Sequence, residues 1–204
     1  MLRNFGSAII GILMIIALPA QAEMRAVTQV YGQIVTYTLP SGFVPAFENE
    51  QDGSYIQEAV PSGESLNNWT QLITLTGIRG GTKLTPLEFA RQIFIGYEQA
   101  CPDSLGATNL PLPTIAGARD VYAGHVYCGT VNGQMYSEQM LIFVLIGEQD
   151  VYTLQWAQRG PPSDRTIPFD ATQWTDRYNL LSGQLALCLP VPGEAAPYPS
   201  CPGT

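Results

Sequence analysis

The alternation of hydrophobic and polar positions predicts several strands in the first part of the chain. Residues 30–39 alternate and are rich in β-branched and aromatic side chains, which favours one or two strands. Trp69, Ile73 and Leu75 alternate with threonines, so they fall on one face of a further strand. The predicted order here is a strand or strands at 30–39, a turn at 40–42, a strand at 43–47, a turn at 52–53, and strands at 55–60 and 69–76.

Two helices are predicted from start signals followed by apolar stripes. Thr85 and Glu88 form a capping box with Pro86 at the first helical position, and Pro102 ends this helix. A second helix begins near Asp170, ends before Pro190 and carries a buried stripe. The predicted stripe of the second helix is Trp174, Tyr178, Leu181 and Leu185.

Between the helices, the Asn132–Gly133 pair predicts a hairpin that joins strands at 120–131 and 134–146. Residues 141–146 are apolar on both faces, which is typical of a strand in the middle of a covered sheet. A further strand at 151–157 places Tyr152, Leu154 and Trp156 in the core. The pattern therefore predicts an α+β fold: an antiparallel sheet of about six or seven strands, covered by two main helices in a three-layer sandwich.

The N-terminal 22 residues match a secretory signal peptide. Arg3 precedes an apolar run at 8–18, and Pro19 leads to a small-x-small cleavage site at 20–22. An apolar run of eleven residues is too short to cross a bilayer as a helix. We therefore expect a signal peptide at 1–22, a single α+β domain at 23–189, and a proline-rich C-terminal tail at 190–204 that is tied by a disulfide. The expected location is periplasmic or secreted, with no membrane insertion after signal cleavage.

An exported chain with an even number of cysteines usually pairs them. The four cysteines allow three pairings, and we favour Cys101–Cys128 and Cys188–Cys201 because each joins segments that are near in sequence. The alternative is a reactive thiol or a metal site, but the chain has no CxxC or Cys/His ligand spacing. No metal or other cofactor is expected.

The charge of the chain narrows the range of partners. Charged residues make up 13% of the sequence, and the formal net charge is −8. An acidic chain disfavours binding to phosphate backbones, so nucleic acid is not expected as a partner. The expected partner is an unidentified envelope protein or a small ligand.

The element order and one short motif resemble a known fold group. Residues 37–43 read Tyr-Thr-Leu-Pro-Ser-Gly-Phe, a strand followed by proline, glycine and an aromatic residue. With strands before each of two helices, the chain is similar to the PsbP/Mog1-like α/β/α sandwich. The resemblance implies an accessory or assembly factor, and it supplies no functional residues.

Few residues offer catalytic chemistry. His125 is the single histidine, and as a residue of a strand it points away from the face of Cys128. It is a candidate general base, but a strand histidine at an edge, or one satisfied in the core, is the simpler interpretation. No nucleotide-binding, metalloprotease or nucleophile-elbow motif is present, and no catalytic residue is assigned.

The candidate ligand-binding residues are Glu58, Glu64 and Trp69. Trp69 follows the polar loop at 62–68, a position from which an aromatic ring lines a groove, and the two glutamates are candidates for contact with a polar ligand. The alternative is that Trp69 covers the rim of the core.

The leading hypothesis is an exported, non-enzymatic accessory or binding protein of the bacterial cell envelope. One alternative is a secreted envelope hydrolase that uses Glu58 and Glu64 as a carboxylate pair. Another is a secreted effector or an immunity protein, since an acidic domain with disulfides suits neutralisation of a cationic toxin.

Overall fold

In a computed structural model, residues 23–165, 167 and 169–201 are described, and they form ten strands and two helices. The predicted signal peptide at 1–22 lies outside the described residues. The elements are β1 (Met24–Val30), β2 (Gln33–Leu39), β3 (Phe43–Gln51), β4 (Ser54–Pro61), β5 (Gln71–Ile78), α1 (Pro86–Ala100), β6 (Leu105–Asn109), β7 (Asp120–Cys128), β8 (Ser137–Ile146), β9 (Val151–Gly160), α2 (Ala171–Gly183) and β10 (Ala186–Cys188).

The centre of the fold is a seven-stranded antiparallel sheet in the order β3-β4-β5-β9-β8-β7-β6. Strand β8 lies near the middle, and residues 140–146 are all buried. Because these side chains are apolar on both faces of the strand, they are stable only where each face is covered. The predicted α+β class and strand number are therefore confirmed.

The two faces of this sheet are covered differently. Helix α1 packs on one face, where Ala90 and its apolar neighbours contact the even-numbered residues of β8. The other face packs against α2 and a three-stranded sheet of order β1-β2-β10. The second covering layer is thus part helix and part sheet, an arrangement that the sequence pattern does not predict.

The helix starts follow their sequence signals. Glu88 N donates to Thr85 Oγ1, and Thr85 N donates to Glu88 Oε2, which completes the predicted capping box of α1. Asp170 Oδ1 accepts from Gln173 N at the start of α2. Both helices therefore begin where the capping residues satisfy free backbone N–H groups.

Several boundaries differ from the prediction. The 120–131 and 134–146 strands are shorter, since β7 ends at Cys128 and β8 begins at Ser137. Helix α2 ends at Gly183, so Leu185 is buried beyond the helix rather than within its stripe. Strand β5 begins at Gln71, and Trp69 packs in the core on the α1 side instead of sharing the face of Ile73.

Two disulfides join Cys101 to Cys128 and Cys188 to Cys201, the favoured pairing of the three. The second bond attaches the tail to the outer face of the three-stranded sheet, where both cysteines pack against Ile34. Paired cysteines favour an extracytoplasmic location, because reducing compartments keep thiols free. Neither helix in the described part of the chain has the length and hydropathy to span a bilayer.

Candidate functional site

The least expected feature of the core is His125 on β7. Its side chain is fully buried beneath α2, and its ring centroid lies 4.3 Å from that of Trp174 and 4.9 Å from that of Phe169. Neither ring nitrogen has a hydrogen-bond partner among the described residues. Burial, and to a lesser extent the positive charge of Arg177, lowers the pKa of His125 to about 3. The imidazole is therefore neutral at physiological pH.

A second polar group, Arg177 of α2, is buried beside the same tryptophan. Its guanidinium carbon lies 4.5 Å from the ring centroid of Trp174 and 4.8 Å from that of Trp156. Nη2 donates to Gln71 Oε1 at 3.0 Å, and Trp156 Nε1 donates to the same oxygen at 3.0 Å. Nη1 has no partner among the described residues, and burial lowers the pKa of Arg177 to about 10. Aromatic rings and one amide, rather than a carboxylate, thus hold this cation.

An open groove borders this cluster between α2 and the segment that follows β6. We call it the α2 groove; its volume is about 360 Å³, and most of its lining is apolar. Tyr178 Oη donates to Pro111 O at 2.9 Å and so links the two walls. The lining residues are Leu110, Pro111, Phe169, Trp174, Thr175, Tyr178 and Asn179.

His125 lies directly behind the aromatic wall of the α2 groove. Phe169 and Trp174 line the groove and also contact the His125 ring. Trp174 is held in place because its Nε1 donates to Gln139 Oε1 at 3.1 Å. Apolar pockets with a few fixed polar groups are typical of small-molecule binding sites.

The chemistry of the α2 groove suits binding better than proton transfer. A general base works best with a pKa near the operating pH, whereas the pKa of His125 is about 3. Among the described residues, no group of three histidine, cysteine or acidic side chains is placed to hold a metal ion. The groove therefore offers shape and aromatic surface, with a buried imidazole behind its wall.

Two of the three predicted ligand-binding residues, Glu64 and Trp69, lie in the same loop. The Glu64 carboxylate accepts from Thr70 N at 2.6 Å and from Thr70 Oγ1 at 2.7 Å, which closes the loop. The Trp69 ring is mostly buried, with the Arg159 guanidinium carbon 3.6 Å from its centroid. Both side chains are thus engaged within the protein.

Glu58 lies elsewhere, in a cleft of about 200 Å³ that is lined mainly by β1 and β4. Burial raises the pKa of its carboxyl group. Among the contacts of the described residues, none joins Glu58 to Glu64 or Trp69. A shared ligand site for these three residues stays a prediction.

Arg177 and Gln71, which meet beside Trp156 and Trp174, were not predicted as functional residues from the sequence. A usable signal existed for Arg177, which lies at helical spacing from Trp174 and Leu181 within the predicted apolar stripe. A charged residue on a buried stripe is unusual, because buried cations need partners. Gln71 has no comparable signal, since its role depends on contact with a distant helix.

The fold and the paired cysteines define the class: a disulfide-bonded α+β protein of extracytoplasmic type. No protein-family model matches the chain, and no curated protein matches it. One similar solved structure is LpqN, which is involved in cell envelope biogenesis of Mycobacterium tuberculosis. The two chains are 15% identical, the match covers 83% of this chain and 91% of LpqN, and the TM-score is 0.44. An identity and a TM-score this low give no information about shared function.

Proposed function

We propose that this chain is an exported, non-enzymatic binding protein of the bacterial cell envelope, and that it holds a small, mostly apolar molecule in the α2 groove. The observation that carries the proposal is an aromatic-walled groove backed by a fully buried histidine whose nitrogens have no partner among the described residues. The predicted signal peptide and the two disulfides support the location.

The shape and lining of the groove support a small ligand. Its volume of about 360 Å³ falls at the lower end of the range for small-molecule sites. Phe169 and Tyr178 supply half-buried ring surface, which binds apolar and aromatic molecules with little loss of side-chain entropy, and the buried Trp174 supports this wall from behind. A molecule of this kind would bury its apolar surface against the rings of Phe169 and Tyr178.

The buried imidazole behind the groove supports a functional role for this region. A buried donor or acceptor without a partner costs about 1–3 kcal/mol of stability. The imidazole behind the groove therefore lowers the free energy of unfolding. Ligand-binding sites often contain residues that lower the stability of the protein, so a functional role is a common reason for such a group.

A pair of tryptophan substitutions on α2 tests the proposal. Thr175→Trp adds a bulky side chain to the groove at an exposed position, whereas Thr172→Trp adds the same group at an exposed position outside the lining. The probe is the dye 1-anilinonaphthalene-8-sulfonate, whose fluorescence rises in apolar sites. We expect saturable binding to the wild type and to Thr172→Trp, and at least a tenfold loss of affinity in Thr175→Trp.

The same variants test for a native ligand. Protein purified from an envelope fraction would be denatured and its released molecules identified by mass spectrometry. The proposal predicts a molecule that accompanies the wild type and Thr172→Trp but is depleted from Thr175→Trp. Equal dye affinity in all three proteins would show that the groove is not the binding site.

A further inference from the structure

A second cavity lies where three connections of the fold meet, and it shares no lining residue with the α2 groove. It is formed by the β1–β2 turn, the segment after β5 and the β8–β9 turn, with Leu189 at its rim. Its volume is about 400 Å³, and polar and apolar groups contribute about equally to its lining. We call it the Tyr31 cavity. Connections that are held by a rigid sheet are common places for binding sites.

The Tyr31 cavity contains a carboxylate that is not matched by a cation. Asp150 is only 5% exposed; its Oδ1 accepts from Gly80 N at 2.8 Å, and its Oδ2 lies 3.5 Å from Tyr152 Oη. Neither the Arg79–Glu50 ion pair nor the Arg159–Glu138 ion pair involves Asp150. A buried carboxylate is costly unless it is well paired, and a cation beside it is therefore favoured.

Tyr31 places a second polar group in this cavity. Its hydroxyl oxygen is buried and has no hydrogen-bond partner among the described residues. Its ring already contacts a cation, since the Arg79 guanidinium carbon lies 4.4 Å from the ring centroid. A phenol beside a carboxylate can accept hydrogen bonds from an ammonium or guanidinium group.

The charge balance around the cavity also favours a cation. Arg79 is exposed and lies 3.3 Å from the carboxylate of Glu50, so this pair largely cancels. Arg119 adds a second positive charge beside the cavity, because its Nη1 donates to Glu148 O at 2.9 Å. Glu50, Glu148 and Asp150 against Arg79 and Arg119 leave one net negative charge here, within a chain of net charge −8. Opposite charge on a ligand would be attracted over several ångströms and would dock against Asp150.

From these observations we infer that the Tyr31 cavity binds a small organic cation, an amine or a guanidine, with Asp150 as its charge partner and the Tyr31 hydroxyl as a hydrogen-bond acceptor. The volume suits a molecule of this size. The site is independent of the α2 groove, so it goes beyond the function proposed above.

Isothermal titration with probes that share a four-carbon chain tests this inference. Putrescine and agmatine carry the expected cations, whereas 1,4-butanediol is neutral and succinate is anionic. We expect binding of the two cations only, and weaker binding as salt is added, because salt screens charges near the surface. Equal binding of butanediol would indicate a polyol site and would overturn the inference, as would the absence of heat from both cations.

Four single variants give the second part of the test. Asp150→Asn removes the charge partner and is expected to weaken agmatine binding at least tenfold, and Tyr31→Phe is expected to weaken it two- to fivefold. Arg79→Gln removes a competing cation from an exposed position, so it should tighten binding roughly two- to fivefold, as expected for an exposed charge pair. Arg91→Gln, an exposed arginine on α1, is the matched control and should change nothing.

The direction of the Arg79→Gln effect decides the sign of the ligand charge. Weaker agmatine binding in this variant would overturn the inference, and so would unchanged binding in both Asp150→Asn and Tyr31→Phe. If Asp150→Asn fails to fold, Arg79→Gln and Tyr31→Phe still decide the result. Thr175→Trp should leave agmatine binding unchanged, so failure at one site is distinguishable from failure at the other.

Discussion

Replacement of His125 by leucine gives a direct test of how the protein holds its single histidine. Leucine has a similar volume and no polar atoms, so the variant removes two buried nitrogens that have no partner among the described residues. At pH 7.5 this change removes an energetic cost of about 1–3 kcal/mol but also loses ring contacts with Trp174 and Phe169. The two effects partly cancel there, so the sharper prediction concerns pH.

The pH-dependence follows from the lowered pKa of His125. The folded value is about 3 and the ordinary value is 6.5, so the folded state disfavours the charged imidazole. The stability contribution of the neutral ring is fully present above pH 6.5 and is lost as the pH falls from 6.5 towards 3. Each pH unit in this window costs about 1.4 kcal/mol. At pH 5 the wild type should therefore have lost about 2 kcal/mol that His125→Leu keeps.

Urea unfolding of both proteins at pH 7.5, 6.5, 5.5 and 5.0, with the disulfides intact, measures this difference. The acidic side chains titrate in both proteins. The difference between the two unfolding free energies at each pH therefore gives the contribution of His125 alone. A loss of 2 kcal/mol corresponds to about 4–8 °C in Tm for a domain of this size. Equal pH profiles, or an imidazole proton signal that titrates near pH 6.5 in the folded protein, would refute the assignment of a buried neutral ring.

Two further substitutions test the disulfide and the packing of the three-stranded sheet. Replacing Cys188 and Cys201 together by alanine should cost about 3 kcal/mol of unfolding free energy in urea, because the bond spans 13 residues of chain; a loss under about 1 kcal/mol would contradict this. Gly117→Ala should cost at least about 3 kcal/mol, since φ is 72° and an added Cβ would collide with Leu187 O. Gly63→Ala is the matched control: φ is 91° but nothing lies within 4 Å, so only backbone strain of about 1 kcal/mol is expected, and equal melting temperatures for the two variants would contradict the reasoning.

The parts of the fold that could be predicted from sequence are those with local signals. The capping box at Thr85 fixed the start of α1, and the apolar run at 141–146 identified a central strand. Strand β10 has no such signal, because three residues become a strand only by pairing with β2. The edge strands β1 and β6 are mostly not fully buried, so their hydrophobic alternation is weak.

The candidate site shows the same limit. The sequence predicted His125 as a strand histidine that is either at an edge or satisfied in the core; the side chain lies in the core, but neither ring nitrogen has a hydrogen-bond partner among the described residues. Its surroundings come from α2 and from the segment before it, so spacing along β7 did not reveal them. Arg177 and Gln71 meet through a hydrogen bond between a helix and a strand that are far apart in the chain. Contacts of this kind depend on tertiary packing, which local periodicity does not encode.

The pairing of β10 with β2 has a consequence for the order in which the molecule is completed. Ala186 lies opposite Thr36, so β2 gains this partner only after residues about 150 positions later in the chain have been synthesised. Until then the backbone groups on that edge of β2 are unpaired, and an exposed sheet edge invites intermolecular association. A chain interrupted before Ala186 would keep the unpaired edge of β2. It would also lack both cysteines of the Cys188–Cys201 disulfide. Such a product would therefore be more prone to association with other chains than the complete protein.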